Sequence, residues 1–256
     1  MEVAIDVGNA GATAKTIGAA MADDLELLAL LHDRELTTGM IAALKAANIE
    51  QQLTLRLAGP EYEAAVQAFR DAVDELPDAT DGNEIDGLAV AYADIYFRNV
   101  FRAAPTESVW LTEDGLERQA PMMVIRAEHR RFNARFSDDA KRAEDHLVPQ
   151  LRFVAFLLRR EEDDALAVAA KFLDEHLMRW LKDFARRLVG VGAHAFYQAL
   201  AVLTASYVDG MREILADLSG VRHVAAPVAD PAPTARGSAR DSEPDPRYLP
   251  GFGPSW

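Results

Sequence analysis

Between residues 163 and 218 the chain twice lays down a line of large apolar side chains at helical spacing. The first is Leu166, Leu173, Leu177, Trp180, Phe184 and Leu188; the second is Phe196, Leu200, Leu203, Tyr207, Met211, Ile214 and Leu218. Side chains three, four or seven residues apart share one face of a helix, so each line needs another element to cover it. Two long helices, over 163–188 and 193–218, are predicted. The rest of the chain follows the same period. Leu25, Leu28, Leu31 and Leu36 mark a first helix, and Thr37–Thr38 can cap a second that carries Ile41 and Leu44 and extends toward Leu57. Pro60 opens a helix with Tyr62, Val66, Phe69 and Val73 on one face, and Pro121 opens another that runs to about Asn133; proline fits the first helical turn, where its missing N–H loses nothing. Residues 84–101 form one more helix, followed by a break over 103–115. Alternating patterns are confined to short stretches such as Gln52–Leu57.

The expectation is an all-α fold, a single bundle of about eight or nine helices over 21–222. A flexible, Gly- and Ala-rich segment precedes it over 1–20. A disordered tail follows over 223–256, because seven of the twelve prolines lie beyond residue 225. The aromatic tip of that tail (Tyr248, Phe252, Trp256) stands apart from its polar surroundings.

Several chemistries are excluded. No cysteine is present, which removes disulfides, thiolate metal sites and cysteine nucleophiles. The net charge of −14 argues against nucleic acid as a partner, since phosphate binding needs a basic surface. The stretch VAIDVGNAGATAKT imitates a phosphate loop but has Asn9 and Ala14 where the pattern needs glycine. The six histidines lack metal-ligand spacing, and no nucleophile signature surrounds Ser137 or Ser206. The N-terminus has no signal-peptide pattern, and no apolar run approaches a membrane span. The chain therefore reads as a cytoplasmic protein with no catalytic, metal or cofactor residues and no stable membrane association.

One stretch resists that plain reading. In AEDHLVPQLRFVAFLL (143–158) a knot of charge, Glu144, Asp145 and His146, runs straight into a helix that must bury Leu151, Val154 and Leu158. Helix physics explains part of it: Asp145 can serve as N-cap, Glu144 suits the positive end of the helix dipole, and Pro149 falls in the first turn. It does not account for His146.

The stretch EDHLVPQLRFVAFL resembles the signature of the TorD/DmsD family of redox-enzyme maturation chaperones, relatives of the NarJ type. That signature has an acidic–His–aliphatic helix start and an amphipathic continuation. Upstream, AYADIYFRNVFRAAPTESVWLTEDG resembles the family's Y-x-x-L-F helix end, its P-x-E-S-V-Y/W segment and an acidic-Gly turn. Downstream, KFLDEHLMRWLKDFARRL resembles its F-x-x-x-H-L-x-x-W helix. These matches cover about residues 85–218. Glu144 departs from the usual proline and Gln150 from the frequent glutamate.

The resemblance implies a cofactor-free chaperone, monomeric or homodimeric, not an enzyme. Its implied partner is the N-terminal leader of the catalytic subunit of a molybdopterin oxidoreductase, held until cofactor insertion and folding are complete. A helical scaffold with a different protein client is the competing class. A leader pairs a basic segment with an apolar one, so its binder needs an acidic mouth and an apolar groove. Glu107, Glu113, Asp114, Glu144 and Asp145 are expected to supply the mouth; Trp110, Leu111, Leu147 and Phe153 the groove. In that reading Asp145 meets a client arginine, His146 contacts client backbone or fixes the loop, and Trp180 and His176 belong to the core.

Overall fold

Twelve residues, Leu147–Leu158, form the helix around which the others assemble. Ten of the twelve are buried, nine of them apolar with Gln150 the exception, so this helix has to sit inside. The computed structural model describes residues 7–77, 82–136 and 142–223, and within them every regular element is helical. In chain order these are α1 (Val7–Asp33), α2 (Thr38–Ala46), α3 (Ile49–Gln52), α4 (Pro60–Asp74), α5 (Gly82–Tyr96), α6 (Glu107–Leu111), α7 (Ala120–Arg131), α8 (Leu147–Leu158), α9 (Ala165–Glu175), α10 (Leu181–Gly190) and α11 (Ala195–Ser219). Nine of them have nine residues or more; α3 and α6 are single turns. The fold is all-α, as predicted.

α1 lies along α8, which also packs on α9; α11 is flanked by α4 and α10 and touches α9 and α1. Close approach of α1 depends on Gly18, where a Cβ would stand 3.1 Å from Leu166 Cδ2 and 3.3 Å from the Leu158 carbonyl. α11 ends at Gly220, whose φ of 71° places it in the left-handed conformation that glycine adopts at no steric cost.

Three expectations change. Residues 7–20 are helical rather than flexible, because an alanine-rich run has high helix propensity and its Ile17 packs on the core. The predicted second helix stops at Ala46. Beyond α3 the chain is held instead by the buried carboxylate of Asp24, which accepts from Thr54 N–H at 2.5 Å, Leu55 N–H at 2.9 Å and Tyr207 O–H at 2.7 Å. The predicted helix over 163–188 is broken after Glu175, where a 3-10 turn (Leu177–Arg179) joins α9 to α10. The proline-rich segment from 224 onward, expected to be disordered, lies outside the described residues.

Candidate functional site

The three motif segments, far apart in sequence, meet at one place. Residues 105–107 run antiparallel to 145–147: Glu107 N–H donates to the Asp145 carbonyl at 2.9 Å, and Leu147 N–H to the Pro105 carbonyl at 2.8 Å, on either side of a bridge between Thr106 and His146. This pairing sets the start of α6 against the start of α8.

Side chains fill the space between them. The Glu107 carboxylate is almost fully buried; its Oε2 accepts from Gln150 Nε2 at 3.1 Å and its Oε1 lies 3.0 Å from His176 Nδ1. Gln150 Nε2 also donates to the Asp145 carbonyl at 2.8 Å. Asp145 has no exposed surface. Its Oδ2 accepts from Ser108 N–H at 3.0 Å and from the Ser108 hydroxyl, while Oδ1 meets no protein donor. Burial raises the Asp145 carboxyl above its ordinary value, the Ser108 bonds oppose that shift, and the charge of Glu107 adds to it. Ser108 Oγ in turn accepts from Gln119 N–H at 3.0 Å, which ties α6 to the approach of α7.

Asp145 therefore does not cap its own helix. His146 is the N-cap of α8, with Nδ1 accepting from Val148 N–H at 3.1 Å, and the Asp145 carboxylate serves the first turn of α6 instead. His146 Nε2 lies 3.2 Å from Arg142 Nη1. With donors facing both ring nitrogens, an added proton would have nothing to donate to. Burial, the Arg142 charge and His32 hold His146 well below the usual imidazole range. Arg142 continues the network: it donates to the Tyr92 hydroxyl at 3.1 Å and to the Asp33 carbonyl, and pairs with the Asp33 carboxylate at 3.3 Å.

The structure thus separates the residues expected at a groove mouth. Glu107, Asp145, Leu147 and Phe153 are fully buried and His146 nearly so, so none of them is placed to touch a client arginine or an apolar client segment in this conformation. Phe153 packs among His129, Phe172 and Phe156 inside the core. Glu144 is partly exposed and forms a two-point contact with Arg126, at 2.5 Å and 2.9 Å. Burial alone would raise its carboxyl; the Arg126 bond and charge bring it below the ordinary value. Trp110 is half-buried, anchored by Nε1 donating to the Ala104 carbonyl at 2.8 Å. It lines a cleft of about 600 Å³ with Asp183, Arg186, Arg187, Gly190 and Val191 of α10 and its end. The acids left exposed near it, Glu113, Asp114 and Glu117, lie in the loop between α6 and α7.

Ser108 and Arg142 were not singled out in the sequence, Gln150 was noted only as a departure from the family's frequent glutamate, and His176 was assigned to the core without its partner. Ser108 and His176 both sit inside quoted motif segments. Their shared membership in those segments was the available signal.

The arrangement defines a helical protein whose buried polar centre fixes a partly exposed aromatic loop at its surface. The family model described as "Nitrate reductase delta subunit" matches residues 60–186. The chaperone protein TorD of Vibrio vulnificus (strain YJ016) is 26% identical over 189 residues, covering 70% of this chain and 87% of that protein. TorD of Vibrio cholerae serotype O1 (strain ATCC 39541) is 26% identical over 205 residues, covering 77% and 92%. The selenate reductase assembly chaperone protein of Thauera selenatis is 38% identical over 66 residues, covering 22% and 34%. These similarities support a TorD/NarJ-family chaperone rather than an enzyme.

Proposed function

We propose that this chaperone serves the maturation of a molybdopterin-containing oxidoreductase in the cytoplasm, binding the N-terminal leader of its catalytic subunit until the cofactor is inserted and the client has folded. The observation that carries the reading is the convergence of the three family motifs on one buried centre with Trp110 at its surface. Such a centre costs conformational entropy and desolvation; a loop held this firmly suits a surface that must be pre-formed. Among the described residues no helix is long and apolar enough to cross a membrane, which fits a chaperone that meets its client before export.

In this reading Trp110 supplies the apolar contact, as aromatics do at binding hot spots. Glu144 exchanges Arg126 for a client arginine, the same charge-assisted pairing with a different guanidinium. Glu107, Asp145, His146, Leu147 and Phe153 position the loop from beneath.

A labelled leader peptide titrated against the wild type, Trp110→Ala, Glu144→Gln and Asp145→Asn tests this division. Trp110→Ala and Glu144→Gln should weaken binding about tenfold or more, in the range of 1–3 kcal/mol, with unchanged melting temperature. Asp145→Asn should move the melting temperature first. Wild-type affinity in both Trp110→Ala and Glu144→Gln would remove the leader from this surface.

A further inference from the structure

A second surface, bordering the Trp110 cleft at Arg186 and Gly190, runs along α11. The helix packs between α4 and α10, and on one of its faces Ala195, Ala199, Val202, Ser206, Asp209 and Glu213, three or four apart, line the clefts beside it, with Ala199 itself buried at their floor. Three adjoining clefts follow this strip. One, of about 300 Å³, lies against Ala68, Ala72 and Glu75 of α4 and its end. The next, about 510 Å³, lies against Ala185 and Val189 of α10. The third, about 540 Å³, lies against Gly59, Glu61 and Met178. The first two share Val189 and Val202, and the second and third share Glu61, Lys182, Ser206 and Asp209, so they form one trough. From Ala195 to Glu213 it extends about 27 Å at 1.5 Å per residue, the length of five helical turns.

The floor is small and apolar: Ala68, Ala72, Ala185, Ala199, Val202 and Ala205. Side chains of this size let another helix approach to an axis separation near ~8 Å. Its charges are unbalanced. The cations are already engaged: Lys182 pairs with Asp209, Arg186 with Asp183 at 2.6 Å, and Arg212 with Asp174 at 2.7 Å. Glu61, Glu75 and Glu213 are exposed and have no ion pair among the described residues. Glu75 also stands at the C-terminus of α4, where the helix dipole adds negative potential.

We propose that this trough is a second docking surface, which takes a basic amphipathic helix of a protein partner. The partner's small or aliphatic face meets the alanine floor, and its flanking lysines or arginines meet Glu61, Glu75 and Glu213. The trough and the Trp110 cleft lie on adjoining faces of α10 and share Arg186 and Gly190 at their common edge, so a single client chain can engage both. The assignment does not depend on the leader reading.

The test uses the full chain and a labelled, stapled 20-residue helix with leucine and alanine on one face and lysines on its flanks. A control peptide has glutamates in place of the lysines. The basic peptide should bind, should lose at least tenfold in affinity on raising the salt concentration, and should outbind the control by at least tenfold. Ser206→Trp, which fills the floor, and the paired reversal Glu61→Lys with Glu213→Lys should each weaken it at least tenfold. Trp110→Ala should leave it unchanged. Should Ser206→Trp disturb the melting curve, the reversal at the two exposed glutamates decides. Absence of binding, equal binding of both peptides, or wild-type affinity after the charge reversal would overturn the proposal. Loss through Trp110→Ala would do so as well, by assigning the peptide to the other cleft. A leader peptide that fails to bind at Trp110 counts against that reading alone.

Discussion

Gln150 is the residue at which this chain's departure from its family pattern acquires a physical meaning. Glutamate is frequent at its position in the family; here the amide donates at once to the Glu107 carboxylate and to the Asp145 carbonyl, both buried acceptors. Gln150→Glu would replace that donor with a second carboxylate about 3 Å from the first, and one of the two must then take a proton to remain buried. A carboxyl whose folded pKa is raised loses stability as pH climbs from its unfolded value toward the folded one. The variant should be less stable by roughly 3–5 kcal/mol at pH 8 and by less at pH 5.5. Thermal melts at the two values check this, and equal deficits would mean that the side chain has swung away from Glu107. None of this pairing was readable in advance. Asp145 was legible as a polar residue at a helix start, where capping is the default, but its partner Ser108 lies 37 residues upstream and only the fold brings them together. Glu107, read as an acid facing solvent, is buried because Gln150 and His176 supply hydrogen bonds that composition does not reveal.

Helices themselves were largely legible, since an amphipathic period survives whatever packs against it. α11 was anticipated almost to its ends. The break between α9 and α10 was not, for a definite reason: a 3-10 turn keeps side chains three residues apart on one face, so Leu177 and Trp180 continue the apolar stripe although His176 leaves helical geometry to reach Glu107. Histidine also ends two helices in an unexpected way. His146 caps α8 and His194 caps α11, each through Nδ1, with Phe196 N–H 3.2 Å from His194. A ring nitrogen can accept that bond only when unprotonated. Burial lowers the His194 pKa, against an opposing pull from Glu75. His194→Ala should cost about 0.5–1 kcal/mol at pH 7.5 in urea denaturation, His194→Asn should cost less, and the deficit of the alanine variant should shrink in acid, where the wild type loses its own cap. An alanine variant as stable as the wild type at pH 7.5 would make the cap a matter of geometry alone.

At the scale of the whole molecule, the same requirement for neutral imidazole couples folding to pH. His32 is fully buried between α1, α5 and α11, with Nδ1 2.5 Å from the Tyr96 hydroxyl and Nε2 2.9 Å from Thr204 Oγ1. Thr204 spends its hydroxyl proton on the Leu200 carbonyl at 2.8 Å, so its oxygen must accept from His32 Nε2–H, and Nδ1 is left to accept from Tyr96. The ring is satisfied only as this one neutral tautomer. Burial, with the Arg142 charge second, accordingly pushes its pKa down to about 3. A depressed folded pKa gives stability that is complete above the unfolded value near 6.5 and is lost as pH falls from there toward 3. By pH 5 the loss from His32 is on the order of 2 kcal/mol, and His146 and His194, both lowered, add in the same direction. The raised carboxyl of Asp145 works the other way, gaining stability as pH falls through its folded value. The histidines prevail between pH 7 and 5, so the melting temperature should fall over that interval by at least about 4 °C. His32→Gln keeps one donor and one acceptor without a titrating group. It should be less stable at pH 7 yet show a shallower decline toward pH 5, and a decline as steep as that of the wild type would show that His32 is not the group whose protonation opens the fold.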